Sequence, residues 1–290
     1  YDAGSSSIAS LNYGNLTVQG SGSKSLLGNT QVAGNMLVDA DAAIAGSTLA
    51  NLTLAGNLQN NGSINTVRTS LVFSGAGGQL SGTGSTIIDN LTINTGANLT
   101  INKNISLQGS LNHNGALLDA AAAELDFAGG DAASINSAGN PVYAGNLKIS
   151  KANATVTLNS DIEALQSVAV TGGTLNIASR TLTKATGATS TSFSVANGAT
   201  VMVGGANTLP VFDSYTFGPA STMVYNGSTQ TIKALQYGHL TLSNAGTKTF
   251  EPGTTGIAGN LSVNGEAAAE MLSNSSVVAF NGTGSQAIAA

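Results

Sequence analysis

Apolar residues along this chain come in alternating triplets. Leu16-Thr17-Val18, Leu52-Thr53-Leu54, Leu91-Thr92-Ile93, Leu99-Thr100-Ile101, Leu175-Asn176-Ile177, Leu240-Thr241-Leu242 and Leu261-Ser262-Val263 each flank one polar residue with two large apolar ones. A period of two puts one side of a strand inward and the other outward. The triplets are short, and Gly, Asn and Ser cluster between them, so the pattern predicts short strands joined by tight corners. It recurs so often that the repeat, not any one segment, is the unit of the fold.

A longer phrase overlies the triplets. Phe73-Ser74-Gly75 leads to Asn90-Leu91-Thr92-Ile93, Phe127-Ala128-Gly129 to Tyr143-Ala144-Gly145-Asn146-Leu147, and Tyr225-Asn226-Gly227 to His239-Leu240-Thr241-Leu242. Tyr1-Asp2-Ala3-Gly4 leads to Tyr13-Gly14-Asn15-Leu16, and Phe280-Asn281-Gly282 opens a further copy. The interval from Phe73 to Phe127 nearly equals that from Tyr225 to Phe280. The interval from Tyr1 to Phe73 is longer by one turn, and that from Phe127 to Tyr225 by two, for a solenoid whose coil takes roughly 18–22 residues. Asn61-Gly62, Asn114-Gly115 and Asn264-Gly265 each stand less than one coil before the next aromatic opening. Asn-Gly tolerates positive φ at both positions and marks a corner between strands of successive faces.

The expected fold is therefore all-β: a single-stranded, right-handed parallel β-helix running continuously over 1–290. Its copies are expected at 1–72, 73–126, 127–224 and 225–279, with a further one starting at 280–290. Beginning and ending inside a copy, the chain reads as a window cut from a longer array. The openings Tyr1, Phe73, Phe127, Tyr225 and Phe280 and the inward residues Leu16, Leu91, Leu147, Leu240 and Leu261 are expected to stack on neighbouring coils. Two alanine-rich pieces, Leu117–Leu125 and Glu266–Leu272, admit a short helix, a loop bulging from a corner, or a tight strand of small residues. Pro210 and Pro219 bracket Phe212, Tyr215 and Phe217, a candidate protruding loop or side cluster.

Composition supports strands over helices. Charged residues are 8% of the chain, against about 25% in typical domains, and the helix-favouring Glu, Lys and Arg are few. Disorder is rejected because 41% of residues are apolar and recur periodically. The net charge of −5, without a basic cluster, argues against nucleic acid. The absence of cysteine removes disulfides and thiolate metal sites. No apolar run reaches the length of a membrane-spanning helix.

Chemistry-bearing residues are sparse. Asp119, Glu124, Asp126 and Asp131 form the densest acidic group and are the candidate calcium ligands; the plain alternative is a solvated face or corner. Asp39 with Asp41 and Asp161 with Glu163 are smaller pairs. His239 stands where other copies carry Asn15, Asn90 and Asn146, so it reads as a replacement in a polar corner position. The Asn-Leu-Thr triplets at 15, 51, 90 and 98 are formal glycosylation sequons. As strand repeats they point Leu inward and Asn and Thr outward, and stacked Asn suggests a side-chain ladder. No nucleophile elbow or phosphate-binding loop is present, and nothing calls for a catalytic residue or a cofactor.

Tyr225-Asn226-Gly227-Ser228-Thr229-Gln230-Thr231-Ile232, Tyr237-Gly238-His239-Leu240-Thr241-Leu242, Gly246-Thr247-Lys248-Thr249 and Gly259-Asn260-Leu261-Ser262-Val263 carry a family resemblance. At these residues the chain resembles the very long repeat proteins exported to the surface of Bacteroidota, among them gliding-motility adhesins of the type IX pathway. The resemblance covers most of the chain and thins over 151–224. It implies an extracellular, cell-surface-attached and non-enzymatic β-solenoid, acting as the stalk or rod of an adhesin. Its expected partners are further repeats or neighbouring copies, surface glycans or abiotic surfaces. The alternatives are a self-assembling filament or sheath subunit and a carbohydrate-active β-helix enzyme.

Overall fold

A computed structural model of the chain describes residues 1, 4–46, 49–140, 142–206, 208–271 and 275–289. Asp2 and Ala3 of the first opening and Leu272 of the second alanine-rich piece lie outside the described residues. Those described form a β-solenoid of about 13 turns without helix. The chain divides into two compact units, Tyr1–Leu147 and Lys148–Ala290.

In the first unit the coils contribute strands to three faces, and the strand Leu117–Phe127 serves face C and then face A. Face A stacks Ser6–Ile8, Ser23–Leu26, Ala43–Gly46, Ser63–Thr66, Ser85–Ile88 and Ile105–Leu107. Face B stacks Asn12–Tyr13, Thr30–Val32, Ala50–Leu54, Thr69–Phe73, Leu91–Ile93, Leu111–His113 and Ala133–Ser137. Face C stacks Leu16–Val18, Met36–Val38, Leu58–Asn60, Gly78–Ser81 and Asn98–Ile101. Pairing is parallel and in register. Coil length varies, from a short coil that sets Ser7 against Ser25 to a long one that sets Leu111 against Ile135. Alternation makes the core: the column Leu52, Leu71, Leu91, Leu111, Ile135 is buried along face B. Each fully buried leucine contributes about 1.5–3 kcal/mol.

The second unit repeats the logic with a wider spread of coil lengths, from Met223 against Leu240 to Leu261 against Ile288. Its central column runs Leu175, Val201, Met223, Leu240, Leu261, Ile288. The strand Ile162–Ala178 supplies three successive partners, Leu182–Lys184, Ser192–Val195 and Thr200–Val203. A register shift near its end falls at Ala178, whose φ of 53° absorbs the extra residue.

Some sequence expectations change. The aromatic openings, read as equivalent positions of successive copies, fall on different faces. Phe73 lies on face B between Leu54 and Ile93, whereas Phe127 pairs with Leu107 of face A. The structural period is thus the single coil, and an aromatic sits where a column has room. Phe73 fits because Gly78 lies against it: a Cβ there would come within 2.8 Å of its ring. Phe73, Phe127 and Tyr225 are fully buried, while Tyr1 and Phe280 are 40% and 37% exposed. Phe280 is paired on one side, with Ile257, and Tyr1 meets Tyr13 edge-on with hydroxyls 3.0 Å apart. Leu16, Leu91, Leu147, Leu240 and Leu261 are buried. The alanine-rich pieces are strands, Leu117–Phe127 and Ala267–Glu270, because alanine lets the chain lie flat between coils. The bracketed aromatic stretch is also a strand: Tyr215 and Phe217 pair with Phe193 and Val195, and Phe217 stacks on Tyr237 at 5.3 Å.

Candidate functional site

A strand that ends at a corner leaves backbone N–H groups without a ladder partner, and such groups need an acceptor. Here the acceptor comes from the coil before. Asn15 Oδ1 accepts the N–H of Asn35 at 2.7 Å, Asn35 Oδ1 that of Asn57 at 2.9 Å, and Asn57 Oδ1 that of Gln79 at 3.0 Å. Asn90 does the same for Ser110, Asn104 for Glu124 and Asn197 for Ala220. His239 takes the position with its imidazole: Nδ1 accepts the N–H of Asn260 at 3.0 Å, and Asn260 Oδ1 accepts that of Ala287. The glycine that precedes several donors gives clearance. A Cβ on Gly34 would stand 2.3 Å from Asn15 Oδ1, and one on Gly259 2.5 Å from His239 Nδ1. Gly-Asn is therefore a two-part device, with clearance for the coil below and an acceptor for the coil above. Two of the Asn-Leu-Thr sequons, at Asn15 and Asn90, have their amide oxygens committed to it.

Inside the corners lies a second device. Lys24, Lys103, Lys151 and Lys248 are buried. The ammonium of Lys24 donates to the carbonyls of Gly20, Ser21 and Gly22 at 2.6, 2.9 and 3.3 Å. That of Lys248 donates to Gly227 at 2.8 Å and Ser228 at 2.7 Å, with Asn244 and Gly246 at 3.5 Å. Lys103 reaches the carbonyls of Gly84 and Asn60. Burial lowers the pKa of Lys103 and Lys248. Sequence reasoning passed over these lysines. The signal was present: in Gly22-Ser23-Lys24-Ser25-Leu26 and Gly246-Thr247-Lys248-Thr249-Phe250 the lysine stands at an inward position after a glycine of positive φ.

The acidic candidates do not converge. Asp119 continues face C opposite Thr100, whereas Asp126 continues face A opposite Ser106, and a corner separates them within one strand. Asp119 Oδ1 accepts its own strand's Ala121 N–H, and Asp131 is exposed. Among the described residues no three acidic or histidine side chains gather as a metal site, so the calcium assignment of Asp119, Glu124, Asp126 and Asp131 is withdrawn. Asp161 caps the Thr181 N–H at 2.7 Å. Asp213, not singled out from sequence, pairs with Lys184. The Lys184 hydrogen bond, followed by those from the Thr191 N–H and hydroxyl, brings its carboxyl down to about 2. His113 is wholly buried between Ile93 and Ser137, and among the described residues neither ring nitrogen has a hydrogen-bond partner.

The outer surface carries two features. Face B presents neutral amides and hydroxyls, among them Thr53, Thr92, Asn112 and Asn136, along an open groove of about 590 Å³. The corner from face A to face B carries one exposed large apolar residue in each of four successive coils, beside Ser10, Asn29 and Arg68: Leu11, Leu27, Leu49 and Val67 are 58, 62, 83 and 50% exposed. Single exposed leucines are ordinary, but four at the same corner make a ridge. No family model matches the chain, and no curated protein or solved structure does either.

Proposed function

We propose that this chain is a structural and adhesive segment of an extracellular, surface-attached bacterial protein, in which the stacked coils supply reach and the outer corners supply contact. The observation that carries the reading is the ridge of Leu11, Leu27, Leu49 and Val67, apolar side chains exposed at one corner of four successive coils. Arg68 is exposed beside Val67 at this corner, so contact there is driven by apolar burial with a salt-dependent contribution from that one charge. The resemblance to exported repeat proteins of Bacteroidota supports the extracellular, cell-attached setting and the stalk role.

The test compares adsorption of the purified chain with that of the triple variant Leu11→Ser, Leu27→Ser, Leu49→Ser on alkyl-coated and hydrophilic surfaces. The wild type should bind the alkyl surface at high salt, and the variant should lose most of that binding while melting at the same temperature. Equal adsorption by the two proteins overturns the contact role. Continuous fibres from the purified chain in electron micrographs would replace it with the filament reading.

A further inference from the structure

An asparagine amide has one acceptor oxygen and one nitrogen with two donor hydrogens. In Asn15, Asn35 and Asn57 the oxygen is taken by the backbone of the next coil, at 2.7, 2.9 and 3.0 Å. That bond fixes which way each amide faces. Among the described residues their nitrogens donate to nothing in the chain. Asn15 and Asn35 are exposed and Asn57 is half-buried. The strands that follow them, Leu16–Val18, Met36–Val38 and Leu58–Asn60, pair in register. The free donors therefore form a row with a step of about 4.8 Å.

Elsewhere such donors are spent or stand alone. Asn90 gives its amide nitrogen to Ser70 Oγ at 3.3 Å and Asp89 Oδ2 at 3.0 Å. In the larger groove on face B, Asn136 donates to Asn112 Oδ1 at 2.7 Å and Ser134 Oγ at 2.9 Å. Asn104, Asn197 and Asn260 hand on to Glu124, Ala220 and Ala287, so no row follows. The row of Asn15, Asn35 and Asn57 borders an open groove of about 490 Å³, lined also by Thr17, Leu37 and Gln59 and by no charged side chain. The groove opens sideways, and its central strand, Met36–Val38, is paired along both edges. Leu37 faces outward from that strand, half-buried, in the column between Thr17 and Gln59. An apolar patch thus lies beside the row of donors.

We propose that this groove binds a neutral glycan chain laid along the axis of the stack. A row of fixed donors suits a ligand whose acceptors recur at the same step. The step from coil to coil, about 4.8 Å, is close to the length of one pyranose residue in an extended glycan. The hydroxyl and ring oxygens accept from Asn15, Asn35 and Asn57, and the C–H face of a ring covers Leu37. An extended peptide fits less well, because the carbonyls along one edge of a strand recur at about 6.6 Å, twice the rise per residue. An anionic chain would meet no basic side chain in the groove and a protein of net charge −5, so the cost of desolvating it is not offset. The groove lies on face C, away from the corner between faces A and B, and its role stands or falls independently of the apolar ridge.

The experiment is affinity electrophoresis of the native chain in gels containing laminarin, hydroxyethyl cellulose, galactomannan or dextran, with polygalacturonate and heparin as charged counterparts. Binding is read as retardation. At least one neutral polysaccharide should retard the wild type, and equally at low and high salt. Asn35→Asp keeps an oxygen for the Asn57 N–H and removes the donor, so it should weaken binding about tenfold. Leu37→Ser removes the apolar patch without touching the row and should weaken binding by about threefold or more. Leu27→Ser, on the ridge, should leave retardation unchanged. No retardation by any of the four neutral polysaccharides overturns the proposal, and so does retardation by the charged ones alone. Binding that survives both Asn35→Asp and Leu37→Ser, or that is lost with Leu27→Ser, places the contact elsewhere and overturns it as well.

Discussion

Replacing Lys248 by methionine keeps the volume of the stem and removes the donor. The carbonyls of Gly227 and Ser228, bonded at 2.8 and 2.7 Å, are then left without a partner. Gly227 is buried, and orphaning its carbonyl costs about 1–3 kcal/mol, whereas Ser228 is exposed and its part-buried bond costs less. The contacts to Asn244 and Gly246 at 3.5 Å are too long to count. Against this stands relief from burying a charge, whose presence the lowered pKa records. The two close bonds outweigh it, leaving Lys248→Met destabilised by about 2 kcal/mol. Lys248→Ala also removes about three buried methylenes, a further loss of about 2–3 kcal/mol. Urea unfolding should therefore place the midpoints in the order wild type, Met, Ala at a constant slope. The pH dependence has a definite sign. The folded-state pKa lies below the unfolded one, so between the two values the unfolded chain binds more protons than the folded chain. The wild type should then gain stability relative to the methionine variant up to about pH 10.4, because a neutral amine still donates two hydrogen bonds. A methionine variant as stable as wild type at neutral pH would refute the claim that the carbonyls need a donor. A gap that narrows with rising pH would refute burial as the origin of the pKa shift.

Two further outcomes concern the histidines. Burial lowers the pKa of His113, so on acidification the unfolded chain takes up a proton that the folded one refuses. Stability should fall from about pH 6.5 down to the folded-state pKa and level off below it; His113→Leu should remove that segment of a stability-against-pH curve, and an unchanged curve would show that the imidazole is not what titrates. At the other histidine, His239→Asn should be nearly neutral, because Asn supplies the same acceptor in other coils, whereas His239→Leu should lose about 1 kcal/mol by orphaning the Asn260 N–H. Equal melting of these two variants would remove the acceptor role.

The inward alternation was legible because burial alone decides it: Leu71, Leu91 and Leu111 share a column for the reason that each flanks a polar residue on a strand. The aromatic phrase misled for the opposite reason. Phe73 and Phe127 look equivalent in sequence, but each answers a local volume, on face B beside Gly78 and on face A above Leu107. Side-chain volume is a property of a column, and columns are not visible in one dimension. The lysines were missed because a charged residue is read as solvated unless a partner carboxylate is seen, and here the partners are backbone carbonyls. The acidic group was overread because sequence proximity was taken for spatial proximity, and one corner between Asp119 and Asp126 is enough to separate them.

What holds coil to coil at the corners is thus encoded by residues that say little about inward packing. Asn15, Asn35 and Asn57 lie outside the core, yet each fixes the height of the next coil through a backbone N–H about 20 residues on. His239 can replace asparagine because the requirement is an acceptor at that height, not an amide. The same requirement explains why the asparagines recur beside glycine while the strands between them drift freely among Leu, Ile, Val and Met. The core needs only apolar volume, but a corner needs one atom in one place.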